Sequence, residues 1–435
     1  MANIYVDSAA AGLNNGTSWA NAYTSFNTAI GTVTNADTVW LKSTHAEGSA
    51  SNLAFNCPTS PGLRILCAGD ASEPPTSLGT GALVDTTGSL AFNGYLYCYG
   101  VTFKNVFADL ALNSTFVGTG HGMRFESCTF WLNRSTGAQR LLVGYLGHSS
   151  NGSADFRLWD CTVRFAHTGS TITPRCGQTI ITGLTIDSAG STPTTLFSLS
   201  NSGAESSAII EGCDLSSETF TNLIGVNTDT NGSCIVRNCK LPASVTLVSG
   251  TYDQPGMPEV QIMNCDDGDT QYVLYFAQYA GTVAEETTIV RTGGASQSRK
   301  MVSNANALFP SYPLRGPEIV RYNSTVGSSI TVTLEFVHDS ATALKNDEFW
   351  IDVQYQGTSG FPLALFASSA KADVLATAAD TTDSSESWTT TGMSNPNTRK
   401  CTVTFTPQEA GYLYVVPHLA KASTTVYYDP EIAVS

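Results

Sequence analysis

Seven short stretches share one pattern of hydrophobic and polar positions: apolar, variable, turn-former, Cys or aliphatic, variable, apolar. They run from Cys98 to Phe103, Phe125 to Phe130, Leu158 to Val163, Ile181 to Ile186, Ile210 to Leu215, Val236 to Leu241 and Ile262 to Asp267, and only Asp267 breaks the pattern. Apolar slots alternate with variable ones, which is the period of a strand. The third slots are Gly100, Ser127, Asp160, Gly183, Gly212, Asn238 and Asn264. All but the serine readily take a left-handed backbone or close a local turn. Each hexad therefore predicts strand, corner, strand. The fourth slots are separated by 27, 33, 23, 29, 26 and 26 residues, a period typical of solenoids, whose turns bury their apolar faces on one another. The arrangement predicted is an all-β, right-handed parallel β-helix with coils ~4.8 Å apart. No leucine-rich pattern is present.

The fourth slots Val101, Cys128, Cys161, Leu184, Cys213, Cys239 and Cys265 are expected to point inward as a structural core ladder. Free cysteine is a small, readily buried hydrophobe just past a tight corner. In-register side chains keep neighbouring Cβ atoms further apart than a disulfide favours. A metal would need convergent thiolates, and a nucleophilic cysteine a partner histidine, whereas none of the six histidines lies in a hexad. No catalytic, cofactor-binding or metal-binding residue is therefore expected there. The fifth slots face outward as a threonine ladder, Thr102, Thr129, Thr162 and Thr185, followed by Asp214, Lys240 and Asp266 with alternating charge. Outward apolar residues Tyr99, Trp159 and Met263 are candidates for a subunit interface.

Before the hexads, Trp19, Ala22, Tyr23, Phe26 and Ile30 follow helical spacing. They predict a capping helix begun by Thr17 or Ser18, because a solenoid end needs its strand edges covered. "DTVWLK" would be the first rung, and residues 132–157 a lateral insertion. From Tyr272 longer strands leave the solenoid, a proline-rich boundary follows at 308–317, and alternating strands predict an antiparallel β-sandwich. Within it, "ATAADTTDSSESWTTTGMSNPN" is expected to be an exposed loop. The expected segments are 1–36, strand and capping helix; 37–295, β-helix; 296–317, linker; and 318–435, β-sandwich.

Composition narrows the function. Of 435 residues 42% are hydrophobic but only 13% charged, against a usual quarter, with Gly, Ser, Thr and Asn filling the gap. A net charge of −15 argues against nucleic-acid binding. No signal peptide or membrane span is visible. The 11 cysteines, spread and without CxxC pairs, suggest free thiols in a reducing cytoplasm.

"YVDSAAAGLNNGTSWANAYTSFNTAI" is similar to the cap of pectin-lyase-like β-helix proteins of bacteria and their viruses. "RKMVSNANALFPSYPLRGPEIVRYNSTVGSS", "VQYQGTSGFPLALFASS" and "FTPQEAGYLYVVPHLAKASTTVYYDPEI" resemble segments of tailed-bacteriophage proteins that pair a β-helix with a terminal β-sandwich. The resemblance implies a homotrimeric virion protein and carries over no catalytic residue.

The reading that follows is a non-enzymatic capsid decoration or cement protein. It would be assembled in the bacterial cytoplasm, lie on the capsid surface of the virion, and contact the major capsid protein or other virion proteins, with no cofactor, nucleic acid or membrane. The alternative is a tailspike or fibre binding host glycans, with Trp131, Tyr145 and Trp159 as stacking platforms. A third is a polysaccharide-degrading enzyme using Asp214 and Asp266, or a cation held by "CDDGD" (265–269). In that case Lys240 would stand between the two acids.

Overall fold

Alternation of inward and outward residues builds every coil of the first unit. The computed structural model describes the chain except residues 1, 35, 51, 57–61, 113–121, 144–154, 175–176, 188, 200–205, 227–231, 251–258, 268–270, 279, 306, 308–312, 318, 346, 358–375, 379–380 and 408–409. Two compact units divide it, Met1–Gln271 and Tyr272–Ser435.

The first unit is a parallel β-helix with three faces. On the first face, strands pair in parallel from Asn3–Val6 and Thr38–Lys42 through Leu63–Ala68, Leu96–Tyr99, Gly122–Glu126 and Asp155–Trp159 to Glu259–Asp266. The second face has six strands and the third eight. The corner between the first two is made by the third slots, all with positive φ, from 49° at Asp160 and Asn264 to 72° at Gly100. Six of these corner amides, from Gly100 to Asn238, donate to a carbonyl one coil on, as Ser127 N–H does to Trp159 O at 3.0 Å. The left-handed turn thus costs no unpaired amide.

Inside, the fourth-slot residues are at most 2% exposed. Beside them Phe92, Phe103, Phe125 and Phe130 pack ring to ring, with centroids 4.9–6.3 Å apart. The nine described cysteines are buried thiols, and the Sγ atoms of Cys98 and Cys128 stand 3.7 Å apart, far beyond a bonded pair. Outside, Thr102, Thr129, Thr162 and Thr185 stand in register.

The N-terminal cover differs from expectation. The helix is only Phe26–Ile30, capped by Ser25, whose hydroxyl accepts from the Thr28 N–H. Neither Thr17 nor Ser18 caps it. Tyr23 is bridged to Val6 and exchanges backbone hydrogen bonds with Tyr5 and Asp7, at 2.9 Å each. That pairing holds residues around Tyr23 extended and delays the helix. Phe26, Ala29 and Ile30 are its buried face.

The second unit has two antiparallel sheets around one core. One contains Gln271–Gln278, Gly281–Glu286, Ser298–Ser303, Ile330–Asp339, Pro396–Phe405 and Thr425–Tyr428; the other contains Ile319–Asn323, Phe349–Gly357 and Gly411–Leu419. Their inner residues, among them Val332, Leu334, Phe336, Ile351, Val353, Leu413 and Val415, form one cluster. Phe336 and Phe349 meet with centroids 4.3 Å apart. Strand Gly281–Glu286, within the 37–295 span expected for the solenoid, pairs antiparallel in this unit with Ser298–Ser303, which falls in the expected linker. The expected loop at 376–397 is not simply exposed. It carries strands Ala376–Ala378 and Thr381–Asp383, and Trp388 is buried with Ile289 and Val337. The indole needed cover, and the outer surface of the sheet supplied it.

Candidate functional site

Strand pairing on the first face stacks its outward residues into two columns. One reads Thr38, Arg64, Tyr97, Arg124, Arg157, Ile180, Ile209, Ile235 and Gln261; the other reads Trp40, Leu66, Tyr99, Glu126, Trp159, Thr182, Glu211, Arg237 and Met263. The densest chemistry lies where Tyr97, Arg124, Glu126 and Trp159 meet. The Tyr97 hydroxyl donates to Glu126 Oε2 at 3.1 Å and Arg124 Nη2 donates to the same oxygen at 2.9 Å. The Arg124 guanidinium carbon lies 5.6 Å from the Tyr97 ring centre and 4.6 Å from that of Trp159, and Arg64 lies 5.9 Å from Tyr97. All are within reach of cation–π attraction.

Burial, then the hydrogen bond to Glu126, pushes the Tyr97 phenol up to about 12. It therefore stays protonated and remains a donor. Trp159 is 43% exposed, so it presents an open aromatic surface beside fixed donors and a carboxylate. These side chains stand on paired strands, which hold their geometry better than loops. An open aromatic ring with converging polar groups suits a polyhydroxylated ligand, whose C–H faces stack and whose oxygens take hydrogen bonds.

The residues singled out from the sequence are distributed differently. Tyr99, Trp159 and Met263 share one column, with Met263 four coils from Trp159. Trp131 lies on the second face, between Lys104 Nζ at 4.7 Å and Arg164 Cζ at 4.2 Å from its ring centre. Those cations come from the coils on either side and are anchored to Asp85 at 2.7 Å and Asp187 at 3.7 Å. The indole faces are thus occupied, and a sugar cannot stack there. Tyr145 lies outside the described residues.

Asp214, Lys240 and Asp266 bridge in parallel, with Lys240 Nζ donating to Asp214 Oδ2 at 3.2 Å. The lysine stands between the two acids as the columns implied. Asp267 is buried, and Gly268 and Asp269 lie outside the described residues. Among the described residues no group of three or more His, Cys, Asp or Glu is placed to hold a metal. Burial pushes the Cys234 thiol up to about 12 and the Cys161 thiol further, which suits core packing rather than nucleophilic attack.

The sequence reading passed over Arg64, Tyr97, Arg124, Glu126 and Arg157. A signal for most of them was present. Tyr97, Arg124 and Arg157 each immediately precede a hexad, and Tyr99, Glu126 and Trp159 each fill its second slot. The apolar slots drew attention inward and away from these columns.

No protein-family model and no curated protein matches the sequence. Two of the solved structures that match are described in turn. One is the enzymatically active domain of tailspike protein 4 of bacteriophage CBA120. It has 10% identity and a TM-score of 0.25, and the match covers 92% of this chain and 64% of that one. The other is tailspike protein gp49 of the Acinetobacter baumannii bacteriophage Fri1, a capsular polysaccharide depolymerase. It has 9% identity and a TM-score of 0.24, and the match covers 91% of this chain and 72% of that one. The chain thus spans less than two thirds of the length of the first, and the likeness is one of fold alone. Both are described as enzymes and neither as a capsid protein. These descriptions run against the expectation of a non-enzymatic chain, which is not carried forward, while the activity they name is that of the two neighbours.

Proposed function

We propose that this chain is a bacteriophage tailspike-type protein that binds a host surface polysaccharide along the first face of its β-helix and cleaves it. The observation that carries the reading is the cluster of Tyr97, Arg124 and Glu126 beside the open Trp159 ring. Trp159, with Tyr99 one coil beyond Glu126 in the same column, serves the ligand rather than a subunit contact. Glycosidic cleavage needs proton transfer at the leaving oxygen, and most enzymes use a pair of carboxyl groups for it. Glu126 supplies one carboxylate. Asp160, the corner residue following Trp159 on the next coil, is the candidate for the second. Tyr97 and Arg124 position Glu126. A location on the tail, trimeric assembly and contact with host glycans belong to the same reading, in place of capsid decoration and the major capsid protein.

The test is incubation of the purified chain with capsular polysaccharide from the strain its phage infects, followed by size-exclusion chromatography and a reducing-end assay. Shortened chains and new reducing ends are expected. Glu126→Gln is expected to reduce their appearance by about 100-fold or more, in line with loss of an acid–base group. Polysaccharide of unchanged length would overturn the cleavage reading. Absence of retention on immobilised polysaccharide would overturn the binding reading as well.

A further inference from the structure

The outer surface of one sheet in the second unit is walled rather than flat. Strand pairing sets Lys300 opposite Ala284 and Tyr427, and Tyr427 opposite Val337. Period-two alternation then places Glu286, Lys300, Thr425, Tyr427 and Asp339 on one face of the sheet. Two connections border that face. The first follows Glu286, whose carboxylate accepts the Thr288 N–H at 2.8 Å. The second is the turn at 390–395. There Met393 N–H donates to Thr390 O at 3.1 Å, and the Ser394 and Asn395 N–H groups donate to the Asp339 carboxylate at 3.1 and 2.6 Å. Ile289 and Trp388 are buried with Val337, and Met393 and Tyr427 pack on the same cluster. Between the two connections lies a cavity of about 390 Å³, lined chiefly by Glu286, Lys300, Asp339, Thr391, Met393 and Tyr427.

The two carboxylates hold these turns, so the walls are fixed before a ligand arrives. Both acids stay ionised at neutral pH. Burial works to raise Glu286, but the Thr288 hydrogen bonds and the Lys300 charge keep its carboxyl below the usual range. The Asn395 and Ser394 amides do the same for Asp339. Two carboxylates against one ammonium disfavour a phosphate or carboxylate ligand. Most small-molecule sites have a mainly apolar lining, whereas here charged and hydroxyl groups predominate, which disfavours a lipid. A small uncharged ligand rich in hydroxyls fits. The acids accept, Lys300 donates and the threonine hydroxyls do either, while Met393 and Tyr427 offer an apolar side to C–H groups. The volume lies near the lower end of the ~300–1,000 Å³ of such sites, which suits one terminal sugar rather than a length of polymer.

We infer that this cavity is a second carbohydrate site, holding a single uncharged terminal sugar, in a different unit from the first-face cluster. The inference goes beyond the reading above by giving the second unit a binding role, and rests on it only for the source of the sugar.

The experiment is saturation-transfer NMR on the full chain with D-glucose, D-galactose, D-mannose and N-acetyl-D-glucosamine, and with D-glucuronate as the charged control. Saturation of at least one neutral sugar, and little of glucuronate, is expected. Thr391 is exposed, so Thr391→Trp should fill the mouth of the cavity without removing a packed side chain, and Lys300→Ala removes the donor. Each is expected to weaken binding at least fivefold with thermal melting unchanged, whereas Trp159→Ala on the first face leaves it intact. No signal from any neutral sugar, or binding indifferent to both second-unit variants, would overturn the second site. Binding lost only in Trp159→Ala would assign the sugar to the first face, keeping the glycan reading and removing this one. Preferential binding of glucuronate would overturn the uncharged-ligand assignment. Retention of the chain on immobilised polysaccharide, measured separately, decides the first-face reading by itself.

Discussion

His338 lies in the second unit with no exposed surface, and neither ring nitrogen has a hydrogen-bond partner among the described residues. Burial, with added repulsion from Lys421 and Arg399, pushes its pKa down to about 4, whereas an unfolded chain holds a histidine near ~6.5. Below the latter value the unfolded state takes up a proton that the folded state refuses. Stability is therefore complete above about pH 6.5 and declines as pH falls toward 4, by up to about 3 kcal/mol. Denaturant titrations at pH 7 and pH 4 should show this decline, and His338→Phe should remove most of it. An unchanged pH slope in the variant would assign the loss to other groups. Two corner glycines offer a second comparison. Gly183 and Gly212 share φ 62°, but a Cβ at Gly183 would meet Asp160 Oδ1 at 2.1 Å while one at Gly212 would meet nothing within 4 Å. Alanine at Gly212 should cost only left-handed strain, about 1–2 kcal/mol. Alanine at Gly183 should cost measurably more in the same melt.

Among the elements, the Asp214–Lys240–Asp266 ladder joins three coils, yet its lysine and first aspartate side chains are 68% and 59% exposed. Solvent screens such a pair, so Lys240→Ala should change stability by less than about 1 kcal/mol. A larger loss in a chemical melt would mean the ladder sets coil register. The ladder, the corner residues and the inward thiols were legible because each is a one-column property of the repeat. Residue type alone says which slot turns left-handed and which is buried. The Tyr97–Arg124–Glu126 cluster was not read, because it joins residues of adjacent coils and needs the strand register as well as the column. The start of the helix was missed for a related reason. Tyr23 has helical spacing to Phe26 and Trp19, but its backbone is claimed by Tyr5 and Asp7, a non-local pairing that no periodicity reveals. Trp131 shows a third limit. Its outward position was legible, but not the two cations that occupy its ring.

At the scale of the whole molecule, each unit has its own buried core, and calorimetry is expected to resolve two unfolding events. A single two-state transition would show that the units unfold as one. The thiols offer a finer view. Eight of the described buried cysteines, from Cys67 to Cys265, belong to the first unit, and Cys401 belongs to the second. Because they recur along the stacked coils, they amount to a row of dated seals, each broken only when its own coil opens. Brief exposure to an alkylating reagent, followed by peptide mass spectrometry, would show which seals broke and in what sequence. It would distinguish a solenoid that frays from one end from one that opens all at once, with no foreign label in the chain.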